Sequence, residues 1–327
     1  MSRLLKLIKK NFIIIKLIIL ITFLYLVYNS GNINIDLIRS GISNKTLIAL
    51  FLVLTFIQQY IGAIRAKILL GLENKNNLSA WDINQITWSA SFVSCILPVS
   101  IASEVYKINE LIKEKKYHSK DDIIYMSIFT KILTLVSLVI LTLISYMLFS
   151  LSFDSDQLLI ILSSITMLFF TAFLFRFKIL NLLQIIYRYI IDVLNIKNQF
   201  IFNRAFNFKN YYLRLFQNPV KSTKLVMLSL IIQSLNIITF LLIIFYSLEL
   251  PIKNVLEAST VIPTGIFISL LPISIQGLGT GNFAFSELLR GIGIDNGSDI
   301  FTIYFAMSYI FNFIGLIPFL LRMKVKR

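Results

Sequence analysis

The residues best suited to meeting a ligand gather at two proline breaks and in the charges just behind them. Gly277-Leu278-Gly279-Thr280-Gly281-Asn282 is the most concentrated glycine run in the chain, and a helix-like stretch from Phe283 to Leu289 follows it. Glycine permits close backbone approach, and the start of the following helix would offer free N–H groups and positive partial charge to an anion such as a phosphate. Neither a strand nor Lys-Ser/Thr follows the run, which argues against a nucleotide loop. Behind the other break, Glu104 and Lys107 stand at i and i+3 on one face of a helix expected to continue to Lys116. The carboxylate suits a helix start, and the ammonium could pair with it or with a phosphate. Lys131 lies about two turns into a long apolar run, and an ionisable group at such depth is costly enough to be functional by default. Arg65 and Lys67 close another apolar run and are read as snorkelling to the surface, as is Lys16.

The two breaks repeat one another. Leu97-Pro98-Val99-Ser100-Ile101-Ala102-Ser103 and Leu271-Pro272-Ile273-Ser274-Ile275-Gln276-Gly277 share four identities and a Val/Ile exchange, and each precedes a Glu-Leu pair, Glu110-Leu111 and Glu287-Leu288. A helix interrupted inside a bilayer frees N–H and C=O groups that hydrocarbon cannot satisfy, so such breaks persist where they line a wet cavity or touch a polar ligand. The expected ligand-contacting set is therefore Pro98, Ser100, Glu104, Lys107 and Lys131 from the first half of the chain. From the second half it is Pro272, Ser274, Gly277, Gly279, Gly281, Asn282 and Glu287. Cys95 and His118 are the only residues of their kinds, which removes disulfide frameworks, zinc clusters and Cys/His catalysis. No metal and no cofactor is expected. Asp154-Ser155-Asp156 has the D-x-D form that holds a metal and a sugar nucleotide, but the charge pattern below places that loop on the wrong side of a membrane for such a substrate.

The elements that must position these residues are membrane helices. Of 327 residues, 57% are hydrophobic and only 14% are charged, where a soluble domain carries about 25% charged residues. Lys and Arg number 31 against 16 Asp and Glu, a net +15. The basic residues sit beside apolar spans, where anionic headgroups attract them, which points away from nucleic acid. Runs long enough to cross a bilayer occur at Phe12 to Tyr28, Thr46 to Ile64, Ile123 to Leu151, Leu158 to Phe175, Leu225 to Leu248 and Ile300 to Leu321. The first follows Arg3, Lys6, Lys9 and Lys10 without a small-residue cleavage site and reads as an uncleaved anchor. Two further apolar stretches, Gln85 to Ser103 and Val255 to Gly279, are broken by Pro98, Pro263 and Pro272. Letting only the six runs cross keeps the basic loop Arg176 to Lys224 and the tail Arg322 to Arg327 on the N-terminal, cytoplasmic side. The fold class expected is an all-α polytopic membrane protein in one domain, residues 1–327, with about six spanning helices and two re-entrant broken hairpins. The hairpins enter from opposite faces, as an inverted repeat produces.

At these motifs the chain resembles the lysylphosphatidylglycerol synthase transmembrane region, or flippase-like, family. The likeness rests on Ile64-Arg65-Ala66-Lys67-Ile68-Leu69, on Leu97-Pro98 with Ser103-Glu104-Val105-Tyr106-Lys107, and on Pro272 through Gly279. The family's first signature carries Gly and Arg where this chain has Ser103 and Lys107, and its second carries an Arg-Glu pair that is missing after Gly279. Glu287 is the nearest carboxylate. The resemblance implies a transporter of an anionic phospholipid or polyprenyl-phosphate-linked glycan between leaflets of the cytoplasmic membrane, without a fused synthase and not an enzyme. Implied partners are the lipid or lipid-linked sugar and, in the cell, a synthase or glycan-assembly protein. Two other readings stand beside it: a membrane-embedded transferase acting on a polyprenyl phosphate, and a non-catalytic accessory subunit of envelope biogenesis.

Overall fold

The computed structural model describes residues 34–71, 78–96, 102–114, 120–149, 211, 217–270 and 277–325. Within them the chain is helical: α1 (Ile35–Ser43), α2 (Lys45–Leu69), α3 (Ala80–Ile96), α4 (Ala102–Lys113), α5 (Lys120–Phe149), α6 (Pro219–Leu248), α7 (Ile252–Glu257), α8 (Ile262–Ser269), α9 (Thr280–Arg290), α10 (Gly297–Ile314) and α11 (Leu316–Val325). No strand occurs among the described residues. Among the described residues four stretches are long and apolar enough to cross a membrane: Lys45–Leu69, Asp122–Ser145, Pro219–Leu248 and Gly297–Arg322. The expected spans Phe12 to Tyr28 and Leu158 to Phe175 lie outside the described residues. So do Lys16, His118, Asp154 and Asp156, and the four break residues Pro98, Ser100, Pro272 and Ser274.

Local sequence sets the helix starts. Asn44 accepts a hydrogen bond from the Leu47 N–H at 3.1 Å, and Asn218 accepts from Val220 and Lys221 with Pro219 in the first turn of α6. Both are N-cap arrangements that satisfy N–H groups the helix leaves free. Pro263 behaves in the same way. It lies in the first turn of α8, where its fixed φ suits a helix start, so it does not break a helix as its sequence context suggested. The span Gly297–Arg322, which contains the expected run Ile300 to Leu321, is built of two helices that meet at Gly315. A Cβ at Gly315 would come within 2.3 Å of the Trp88 carbonyl oxygen, so the missing side chain is what lets α3 lie against this junction.

The two interrupted stretches fold back on themselves, α3 against α4 and α8 against α9. The first hairpin leaves and rejoins the bundle at one end. Tyr211 donates its hydroxyl to the Leu69 carbonyl at the end of α2 at 2.6 Å, and its ring lies 5.5 Å from that of Tyr125 near the start of α5. The end of α2 and the start of α5 therefore meet, with the α3–α4 pair between them in sequence. The second hairpin does the same at the opposite end. There the Asn34 N–H donates to both carboxylate oxygens of Asp299 in the first turn of α10, each at 3.1 Å. Gly41 of α1 packs so closely that a Cβ would sit 3.1 Å from Ser247 Oγ of α6 and 2.7 Å from Ile303 Cδ1 of α10. Span, hairpin and span thus occur twice in opposite orientation, α2 to α5 and α6 to α10. Helices α5 and α10 each pack against both hairpins.

Two apolar cores follow from this layout. One joins α2, α6, the α7–α9 segment and α10 at the Asp299 end, through stacked rings of Phe240, Phe285 and Tyr304 with centroids 4.6 and 4.2 Å apart. The other joins α2, α3, α4, α5 and the start of α6 at the opposite end, around Ala66, Ile83, Ile86, Leu111, Met126 and Leu225. The basic residues of interest border the second core.

Candidate functional site

Arg65 is 5% exposed, on the face of α2 that packs against α6. Its Nη1 donates to Ser229 Oγ of α6 at 2.8 Å, and its Nε has no partner. Among the described residues no carboxylate stands within ion-pair distance of it. The snorkelling expected from sequence is therefore corrected. The guanidinium turns inward, because Ser229 sits opposite it across an antiparallel helix pair and Tyr211 covers the end of α2. A buried cation without an anion is costly, and a site that keeps one is arranged for an anion from elsewhere.

The neighbouring charges come from three helices. Glu104, in the first turn of α4, accepts a hydrogen bond from Ser127 Oγ of α5 at 2.6 Å, and its other oxygen lies 3.9 Å from Lys131 Nζ. Lys107 is partly buried and is not the partner of Glu104, although the spacing allowed that. Burial pushes the Lys107 ammonium below its ordinary range, Glu104 works against that, and Arg65 and Lys131 add to it. The Lys131 side chain is 64% exposed and reaches Glu104 along the outside of α5. The cluster thus sets three cations against one carboxylate at the mouth of the first hairpin, with the two inner cations, Arg65 and Lys107, lacking an ion-pair partner among the described residues. Such an array can hold a phosphate, Arg65 through its planar fork and Lys107 as a point charge.

A polar seam extends inward from Arg65 and was missed in the sequence. Gln58 stands seven residues before Arg65, on the same face of α2, and Gln233 stands four after Ser229, on the same face of α6. Gln58 Nε2 and Gln233 Oε1 are buried without partners. Asn84 of α3 is fully buried with both side-chain polar atoms unpartnered, and its main-chain carbonyl accepts from Gln59 Nε2 at 3.4 Å. The available signal was the amide residues Gln58, Gln59, Asn84, Gln85, Gln233 and Asn236 inside largely apolar helices.

The glycine break is organised differently. Gly277 and Gly279 hold φ of +84° and +87°, the left-handed region expected of this run. Gly281 does not; it is there because a Cβ would fall 2.2 Å from the Phe301 ring. Asn282 is 3% exposed and spent on structure. Its Oδ1 accepts from the Gly279 N–H at 3.1 Å, while its amide donates to Ser298 O and Thr302 Oγ1 of α10. The Gly281 N–H donates to Gly277 O at 2.7 Å. Two N–H groups at the start of α9 that sequence left open for an anion are thus taken within the turn. Glu287 is half-exposed and pairs with Arg290 of its own helix at 3.3 Å, not with the cationic cluster. Trp88 stacks on Phe311 at 5.2 Å and donates its indole N–H to the Phe311 carbonyl at 3.1 Å.

The described residues contain no group of three or more His, Cys, Asp or Glu able to hold a metal ion. Compared with known proteins, the family model described as the lysylphosphatidylglycerol synthase TM region matches residues 13–315 of the chain. No curated protein and no solved structure matches it.

Proposed function

That match makes the chain a member of the lysylphosphatidylglycerol synthase transmembrane-region family, a multi-pass membrane protein tied to lipid-related processes, and from this premise we propose that it moves an anionic lipid between leaflets. The observation that carries the reading is Arg65, a buried guanidinium whose described partner is a neutral hydroxyl, beside Lys107 and at the mouth of a hairpin that does not cross the bundle. The cargo is a phospholipid or a polyprenyl-phosphate-linked glycan. Its phosphate enters between α2, α4 and α6, and its acyl or prenyl chain stays against the apolar outer faces of the bundle, where Val53 and Ile57 of α2 are exposed. Glu104, held by Ser127 and Lys131, keeps the cluster from binding the anion too tightly to release it. The chain acts as a transporter and not as an enzyme, in the cytoplasmic membrane with both termini in the cytoplasm, so that the cationic cluster faces the leaflet in which such lipids are made.

Purified protein in phosphatidylcholine vesicles, carrying fluorescent phosphatidylglycerol or a fluorescent lipid-linked sugar, tests this. Probe movement to the opposite leaflet faster than in empty vesicles, and lost in Arg65→Gln, is the expected result. Movement no faster than in empty vesicles for every anionic probe would refute the reading. Recovery of a stoichiometric partner that restores movement would make the chain an accessory subunit.

A further inference from the structure

Helix α4 brings Lys107 close enough to Arg65 for the two charges to act on each other, yet it is fastened lightly. Its inner face carries Glu104, Lys107, Ile108 and Leu111, at i, i+3, i+4 and i+7. Of these four only Leu111 is fully enclosed, in the core it shares with α2, α3 and α5, while Ile108 and its neighbour Ile112 are partly buried against that core. The rest of the hold is polar and sits at the helix ends. Glu104 in the first turn reaches Ser127 and Lys131 of α5. Glu114, just past the last turn, pairs with Arg322 of α11, and the two side chains are 24% and 13% exposed. One turn earlier in α11, Phe319 lies against Tyr106 of α4 at 5.7 Å and Phe92 of α3 at 5.4 Å. Helix α3, by contrast, is tied to α10 through backbone oxygens: the Trp88 indole donates to the Phe311 carbonyl, and the Tyr309 hydroxyl donates to the Cys95 carbonyl.

Arg65 is enclosed in this arrangement, so a phosphate-bearing lipid reaches it only when an element moves aside. Resting on the transport reading above, we infer that α4 is the lid that admits the lipid, and that Arg322 and Glu114 are its catch. Helix α3 stays fastened to α10 while α4 swings out, taking Lys107 to the phosphate and returning it to Arg65. Arg322 is a positioning residue: it acts through the seat of α4 and not on the lipid. A local opening of this kind needs few apolar contacts to break, and on the inner face of α4 only Leu111 is wholly buried.

The test is the rate at which N-ethylmaleimide labels Leu111→Cys in the full chain, in a Cys95→Ser background in phosphatidylcholine nanodiscs, because Leu111 is covered while α4 is seated. Arg322→Gln is expected to speed labelling about fivefold to tenfold, as for the loss of a partly buried ion pair. The exchanged pair, Arg322→Glu with Glu114→Arg, should slow it again. Met126→Cys, from α5 in the same core, is a second reporter that must respond alike and serves if Leu111→Cys does not fold. Ile243→Cys, buried in the other core, reports general loosening and should keep its rate. Phosphatidylglycerol in place of phosphatidylcholine should also speed labelling of Leu111→Cys, since a headgroup that reaches Arg65 only past a lifted lid draws the population that way. Rates unchanged by Arg322→Gln, equal acceleration of Ile243→Cys, or an exchanged pair as fast as Arg322→Gln overturns the inference. So does a rate indifferent to phosphatidylglycerol in protein that moves this lipid across vesicles, and the transport reading then stands. Failure of the chain to move any anionic probe refutes the transport reading and, with it, the role of the lid in admitting lipid.

Discussion

Arg65 separates a functional role from a structural one by the sign of its effects. A buried cation lacking an anion does not stabilise a fold, so Arg65→Met should leave the melting temperature unchanged or raise it by the equivalent of about 1 kcal/mol. Ser229 keeps its hydrogen bond to the Leu225 carbonyl in that variant. Transport of anionic lipid should fall at least about tenfold, as expected for losing charge-assisted hydrogen bonds. Thermal unfolding in detergent and the vesicle assay read the two quantities, and a large loss of stability with transport retained would make Arg65 a packing residue. Glu104→Gln acts the other way. Removing the one carboxylate beside three cations should tighten retention of phosphatidylglycerol and slow its turnover, visible as a lower apparent Kd with a lower transport rate. If both rise together, Glu104 is not what sets release.

At the scale of elements, glycine positions report how closely helices approach. Gly297 and Gly315 sit where a Cβ would lie 2.1 Å from the Phe285 carbonyl oxygen and 2.3 Å from that of Trp88, so the obstacle is backbone that cannot swing aside. Alanine at either should cost about 1 to 3 kcal/mol by forcing α9 from α10, or α3 from the α10–α11 junction. Gly62, inside α2 with nothing within 4 Å of where a methyl would sit, is the matched control, and Gly62→Ala should stabilise by about 1 kcal/mol through helix propensity. Thermal melts of the three variants decide it; equal effects would mean that the hairpins are not held by close backbone contact. Gly279 adds strain to space. Its φ of +87° is denied to a β-branched residue, so Gly279→Val should lose both transport and stability, measured at matched membrane abundance.

For the whole molecule, the contacts at the two ends of the bundle fix which loops share a side. Leu69 meets Tyr211 at one end, where Arg322 also reaches Glu114, and Asn34 meets Asp299 at the other. Single cysteines placed at Gly71, Lys113 and Asn218 in a Cys95→Ser background should therefore label from one face, expected to be the cytoplasm. Cysteines at Ile35, Glu249 and Asp295 should label from the opposite face. A membrane-impermeant maleimide applied to whole cells and to inverted vesicles gives the answer. Opposite faces for Gly71 and Lys113 would mean that the first hairpin crosses, and the inverted repeat would fail with it.

The sequence by itself determined the membrane class, four of the spans, and the place of both breaks, because hydropathy and proline act locally and need no partner to be read. Parity of basic loops was enough to turn the breaks into hairpins of opposite sense. The environment of each polar side chain was a different matter. A place at the end of an apolar run made Arg65 look as though it snorkelled, yet it is enclosed, since burial depends on which helix lies across from a face and Ser229 is 164 residues away. The same holds for Asn282, whose amide is taken by Ser298 and Thr302, and for Gln233 Oε1 and both side-chain polar atoms of Asn84, which are left without partners. A one-dimensional pattern gives the cost of placing a polar group in a membrane helix. Only the tertiary packing decides whether the protein satisfies that group or leaves it for a ligand.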